Sequence, residues 1–166
     1  CKRTGGLGLV NTDVSWLGQP GMRWEQLVPT IEKARSELPC PDAVVVHLGG
    51  NDLAAKGRKW LLDEMKADLQ AVADKVRPAD LIWSEVVPLF KWNGAEVHAA
   101  VEQSRRRLSF AMKKACNSMG WGFARHGMLT LKAPGYFEKD GVHLSRVGMA
   151  IFMIDIAEAL ERVGCT

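Results

Sequence analysis

Apolar positions along this chain follow two alternating rhythms. Residues 43–48, Ala-Val-Val-Val-His-Leu, form the near-continuous apolar run that a parallel strand covered on both faces requires. From Arg58 to Val76 the rhythm changes: Leu61, Met65, Leu69, Val72 and Val76 recur at steps of four, four, three and four, one buried helical stripe. Residues 81–87 return as a strand that ends at Pro88. Glu96 to Met119 repeats the helical period through Val97, Val101, Leu108, Met112 and Ala115, and Gly120 stops it. Residues 121–124 read as a short last strand, and Ser145 is placed to cap a final helix that runs to about Arg162. Near the start, Asp13 to Leu17 reads as a short strand, followed by a turn over Gly18 to Gly21. A helix over Trp24 to Leu38 then carries Leu27, Ile31 and Ala34 on one face, with Pro29 in its first turn or at a kink.

Four strands interleaved with four helices predict one doubly wound α/β domain over residues 1–166, with no internal repeat or linker. In such sheets ligands bind beyond the carboxyl ends of the strands. The turns at 18–21 and 49–52, the segment after Val87 and the loop holding Asp140 and His143 all fall at that edge.

Composition narrows the picture only a little. A 47% hydrophobic and 25% charged chain is globular rather than disordered. A net charge of +3 does not call for a polyanionic partner. The basic cluster Arg105, Arg106 and Arg107, with Lys113 and Lys114, reads as a solvated helix face, so nucleic acid is not the expected partner. The most apolar run, Met149 to Ile154, is far shorter than the ~20 residues of a membrane span. Cys1, Cys40, Cys116 and Cys165 form no Cys-x-x-Cys pair, which argues against zinc and for free thiols. Free thiols lean towards a cytoplasmic location, but localisation is not legible, because the chain starts at Cys1 and reads as a fragment.

Two short segments carry candidate chemistry. Asn51 follows the strongest strand through Gly49 and Gly50, where the backbone can turn sharply and a side-chain amide can donate to an oxyanion. Asp140 precedes His143 by the spacing at which a carboxylate in a tight turn reaches the near imidazole nitrogen and stabilises the imidazolium. Either alone is a weak signal, since Gly-Gly-Asn-Asp turns and Asp-x-x-His are common. A glycine-rich stretch at Gly5 to Gly8 lacks the flanking strand and helix of a phosphate loop.

Together, in this order and each at the end of a predicted strand, the segments resemble the SGNH hydrolases, the GDSL-like esterases and lipases, over nearly the whole chain from Asp13. Gly49-Gly50-Asn51-Asp52 resembles the block that supplies an oxyanion-hole Asn, here Asn51. Asp140-Gly141-Val142-His143 resembles the block whose Asp and His serve a nucleophilic serine. Residues 17–22, Leu-Gly-Gln-Pro-Gly-Met, resemble the block whose glycine donates a backbone N–H, Gly21 being the better match and Gly18 the fallback. The resemblance implies a three-layer α/β/α, flavodoxin-like parallel sheet whose first strand is missing from this chain. It implies ester hydrolysis through an acyl-enzyme, with no metal or organic cofactor. The substrate would be a small ester, lipid or acylated sugar.

The departure is the Gly-Asp-Ser block. The twelve residues before Asp13 contain no serine. Ser15 lies within a predicted strand, Ser145 is a cap, and Ser84 is the only serine near the ligand edge. These residues are therefore expected to be inactive by themselves. The alternative is a non-catalytic descendant that keeps the pocket for a carbohydrate or acylated ligand. Gly50, Ser84 and Trp24 are expected to line the pocket, with Trp92, Tyr136 and Phe137 as further candidates. Without the first strand, the edge of residues 43–48 invites self-association, unless residues 13–17 slide across to cover it or detach with their helix.

Overall fold

The computed structural model of the protein describes residues 2–3 and 12–165. Strands β1 (Lys2–Arg3) and β2 (Ser15–Trp16) pair antiparallel, with Arg3 opposite Ser15. The central layer is a parallel sheet of β3 (Ala43–Val46), β4 (Asp80–Ser84) and β5 (Gly122–Ala124), in that order. Its register sets Val44 opposite Leu81 and Trp83 opposite Phe123.

Helices α1 (Leu27–Glu37), α2 (Arg58–Val76) and α3 (His98–Met119) cover one face, and α4 (Arg146–Arg162) covers the other. The period-two geometry of the strands divides their side chains between these layers. Val46, Leu81 and Trp83 join the stripes Leu61–Met65–Leu69–Val72 and Leu108–Met112 on the first face. Ile82 and Ala124 meet Phe152, Ile156 and Ala159 on the second. Leu61, Met65, Leu69 and Trp83 are completely buried, and side chains of this size contribute about 1.5–3 kcal/mol each on burial. Gly120 ends α3 at φ +71°, the left-handed conformation that glycine adopts without a Cβ penalty. Among the described residues no helix is long and apolar enough to cross a membrane.

The expected strand over residues 13–17 is corrected. Only Ser15–Trp16 is extended, and it pairs with Lys2–Arg3 outside the parallel sheet, neither covering β3 nor joining it. Its backbone partners are Lys2–Arg3, and Ser15, Trp16 and Leu17 stay exposed, outside the two core layers that flank the parallel sheet. Its helix does not detach, since α1 packs on α2 through Leu27 and Ile31. The expected strand over 81–87 ends at Ser84. Beyond it Glu85 N–H donates to Ala124 O, and Val86 and Val87 are buried as loop.

Candidate functional site

Residues 136–145 form a small closed turn ahead of α4. Phe137 and Leu144 face each other in an antiparallel bridge, Glu138 N–H donates to His143 O, and Ser145 N–H donates to Tyr136 O. Asp140 sits at its tip. One carboxylate oxygen accepts from Val142 N–H and His143 N–H at 2.8 and 2.9 Å, and the other meets His143 Nδ1 at 2.6 Å. Gly141, at φ +72°, lets the chain double back, and a Cβ there would come within 3.0 Å of the Phe90 Cβ. Ser145 caps α4 as expected, its hydroxyl accepting from Gly148 N–H.

Both side chains of this dyad are exposed to solvent. The hydrogen bond from His143 holds the Asp140 carboxyl well below the usual carboxylate range, and the two backbone N–H groups add to it. The same bond, with the carboxylate's charge, raises the pKa of His143. Nδ1 is engaged by the carboxylate, so Nε2 is the nitrogen left to exchange a proton with a bound molecule.

Asn51 and Gly21 come together at a second place. Asn51 Nδ2 donates to Met22 O at 3.0 Å, which ties the Asn51 turn to the segment that carries Gly21. A second tie runs the other way: Trp24 N–H donates at 2.9 Å to the carboxylate of Asp52, which is fully buried and lies 3.5 Å from Lys56 Nζ. A cavity of about 330 Å³ opens there, lined by Gly21, Asn51, Ala54, Ala55, Asn93 and Gly94 together with Arg23. The segment after β4 links this cavity to the dyad. Phe90 and Lys91 N–H groups both donate to Gly141 O, and Asn93 and Gly94 of the same loop line the cavity.

The remaining expected pocket residues lie elsewhere. Gly50 is half-buried against Val86. Trp24 is only 1% exposed and belongs to the core rather than to a pocket wall, because its indole N–H is drawn inward to Asp68 at 2.9 Å. Trp92 and Phe137 are likewise buried, Phe137 edge-on to Phe90 at 5.1 Å.

Ser84 is completely buried, in an arrangement that sequence reading missed. Its hydroxyl lies 2.9 Å from His47 Nδ1 and 2.8 Å from His126 Nε2, and His126 Nδ1 lies 2.9 Å from Asp155 Oδ2. With Asp155 ionised, one proton arrangement satisfies the chain: His47 donates to Ser84, Ser84 to His126 and His126 to Asp155. Burial lowers the His126 pKa to about 4 against the opposing charge of Glu85. Burial also raises that of Asp155. Desolvation and then the neighbouring His126 lower the pKa of His47. A serine beside His and Asp has the connectivity of a triad, yet this hydroxyl is sealed from solvent and no ester carbonyl can reach it. Among residues 13–165 no hydroxyl is hydrogen-bonded to His143 Nε2, and among the described residues no three metal-ligating side chains converge.

The basic cluster also needs correction. Arg105 is buried, not solvated. It grips Glu102 with two bonds of 2.8 Å, donates to Val86 O at 2.8 Å and lies 3.5 Å from Glu85. Burial opposes ionisation of Glu102, but Arg105 and Arg106 overcome it and hold its pKa below the usual value.

No protein-family model and no curated protein matches the sequence. Solved structures do match its fold. A GDSL-like lipase from Bacteroides thetaiotaomicron superposes with a TM-score of 0.71 at 20% identity, over 86% of this chain and 72% of that one. A lipase/acylhydrolase from Enterococcus faecalis gives 0.64 at 12% identity, over 86% and 72%. The esterase domain of a zebrafish retrotransposon protein gives 0.55 at 22% identity, over 86% and 85%. The chain therefore has the fold of the SGNH, or GDSL-like, hydrolases.

Proposed function

We propose that this chain carries the base, its orienting acid and the oxyanion donors of an ester hydrolase acting on a small ester, lipid or acylated sugar. The observation that carries the reading is the pair formed by His143 and Asp140, a base whose tautomer is fixed by a carboxylate, on the fold of known lipases and esterases. In this reading His143 Nε2 takes the proton of a serine hydroxyl as it attacks the carbonyl, and returns it to the leaving alcohol. Asp140 stabilises the imidazolium. The backbone N–H of Gly21 and the amide of Asn51 donate to the tetrahedral oxyanion, each such donor being worth about 3–4 kcal/mol in the transition state.

Residues 1–166 by themselves are expected to be inactive, because none of the twelve residues before Asp13 is a serine, where the resemblance places the nucleophile. Loss of a triad nucleophile costs on the order of 10⁶-fold in rate. The test is turnover of 4-nitrophenyl acetate with and without a serine-directed phosphonate. These residues should show no turnover that the phosphonate abolishes. Turnover that it does abolish would overturn the assignment, and the serine that carries the phosphonate would be the nucleophile.

A further inference from the structure

The cavity at Gly21 and Asn51 has a charge of its own. Arg23 lines it beside Asn51 and Asn93, and no acidic residue does. The acids next to it in the chain are committed elsewhere: Glu25 pairs with Lys56 Nζ at 3.3 Å, and Asp52 is buried between Lys56 and Trp24 N–H. Among the described residues no carboxylate lies within ion-pair distance of the Arg23 guanidinium. A guanidinium presents five donors in a fixed plane, matched to carboxylate and phosphate. The cavity is small, about 330 Å³, at the low end of the roughly 300–1,000 Å³ of ligand pockets. Its apolar lining is short, Ala54 and Ala55. That leaves room for a short acyl group and little for a long chain.

We propose that this cavity selects short, soluble esters that carry a negative charge, a phosphate or a carboxylate, within reach of Arg23. The inference rests on the reading of Gly21 and Asn51 as oxyanion donors and adds the substrate class. The ester carbonyl sits at Gly21 and Asn51, and the anion of the alcohol or acyl part pairs with Arg23. Asn93 is placed to donate a further hydrogen bond.

Binding to residues 1–166 can be followed by amide NMR, because no turnover is needed. The probes are 1-acetylglycerol 3-phosphate against neutral 1-acetylglycerol, and monomethyl succinate against dimethyl succinate. Each charged ester should bind about fivefold tighter than its neutral match at low salt, the upper range for an exposed ion pair. It should shift the Gly21 N–H and the Asn51 side-chain amide, and lose most of its advantage at 0.5 M salt. Arg23→Gln should remove the advantage and Arg23→Lys should keep most of it. Equal binding of charged and neutral esters, an advantage unchanged in Arg23→Gln, or inorganic phosphate binding as tightly as the phosphate ester would overturn the proposal. So would tighter capture of a long-chain acyl glycerol phosphate in phosphatidylcholine vesicles. If neutral esters still shift Gly21 and Asn51, only the charge selectivity fails. If no ester shifts them, the hydrolase reading of these residues fails, and the selectivity with it.

Discussion

A carboxylate beside an imidazole can act in opposite directions, and this chain holds one pair of each kind. At the surface, the bond to His143 lowers Asp140 and the same bond raises His143, because water solvates both ions and pairing decides. In the interior, His126 is lowered and Asp155 is raised, because desolvation outweighs pairing. The first pair is poised to hold and release a proton; the second is held neutral or reluctantly charged. The raised His143 pKa means that the charged pair stabilises the fold below pH ~6.5 and is lost as pH rises through the folded value. The lowered Asp140 pKa sets the acid side of that window near pH ~4. His143 is therefore competent as a base only above its raised midpoint. In Asp140→Asn, a ring titration by NMR should place that midpoint back towards 6.5. A midpoint unchanged by the substitution would mean that the 2.6 Å contact does not govern the base.

At the scale of elements, the end of β4 is fastened to α3 by one side chain. Arg105 satisfies Glu102 and reaches Val86 O, just beyond the strand. Arg105→Ala leaves Glu102 buried with only the largely exposed Arg106 as partner. It should cost about 3–5 kcal/mol in urea unfolding, as breaking a buried pair does. Arg106→Ala should cost less than about 1 kcal/mol, as exposed pairs do. Equal costs would show that the buried contacts are not what fastens the strand. The signal for Arg105 was present in the sequence: Val101, Arg105, Leu108 and Met112 step by four, three and four, so Arg105 lies on the apolar stripe. A run of three arginines obscured it. Asp155 is hidden in the same way among Phe152, Ile156 and Ala159. The helices themselves were legible because each buries a continuous stripe. The Asp140–His143 turn was legible because both partners lie within one turn. The chain from His47 to Asp155 joins four distant segments, and no local spacing announces it.

At the scale of the molecule, the parallel core and its two helical layers were legible from apolar runs, whereas strand pairing depends on distant partners. Residues 13–17 had the local look of a strand, with Val14 and Trp16 on one face, but Ser15–Trp16 pairs with Lys2–Arg3 instead of the sheet. The buried histidine gives the whole domain an acid sensitivity. His126 is lowered to about 4, so between pH ~6.5 and 4 the unfolded chain takes up a proton that the folded chain refuses. Stability from this group is complete above pH ~6.5 and falls as pH drops, by at most about 3 kcal/mol, with the raised Asp155 working in the opposite direction. Thermal melts over that range should show a steeper decline for the native chain than for His126→Gln. Parallel declines would assign the acid sensitivity elsewhere.

The central claim is that the Asp140–His143 turn and the Gly21–Asn51 cavity, joined through the loop that holds Phe90 and Asn93, act on one bound group. Titration with dimethylphosphinate, a small tetrahedral oxyanion, tests this at pH 6, where His143 carries its proton. The Gly21 N–H, the Asn51 amide and the His143 ring should shift along a single binding curve. Saturation of Gly21 and Asn51 with His143 unmoved, or of His143 alone, would contradict the claim that the two halves form one site.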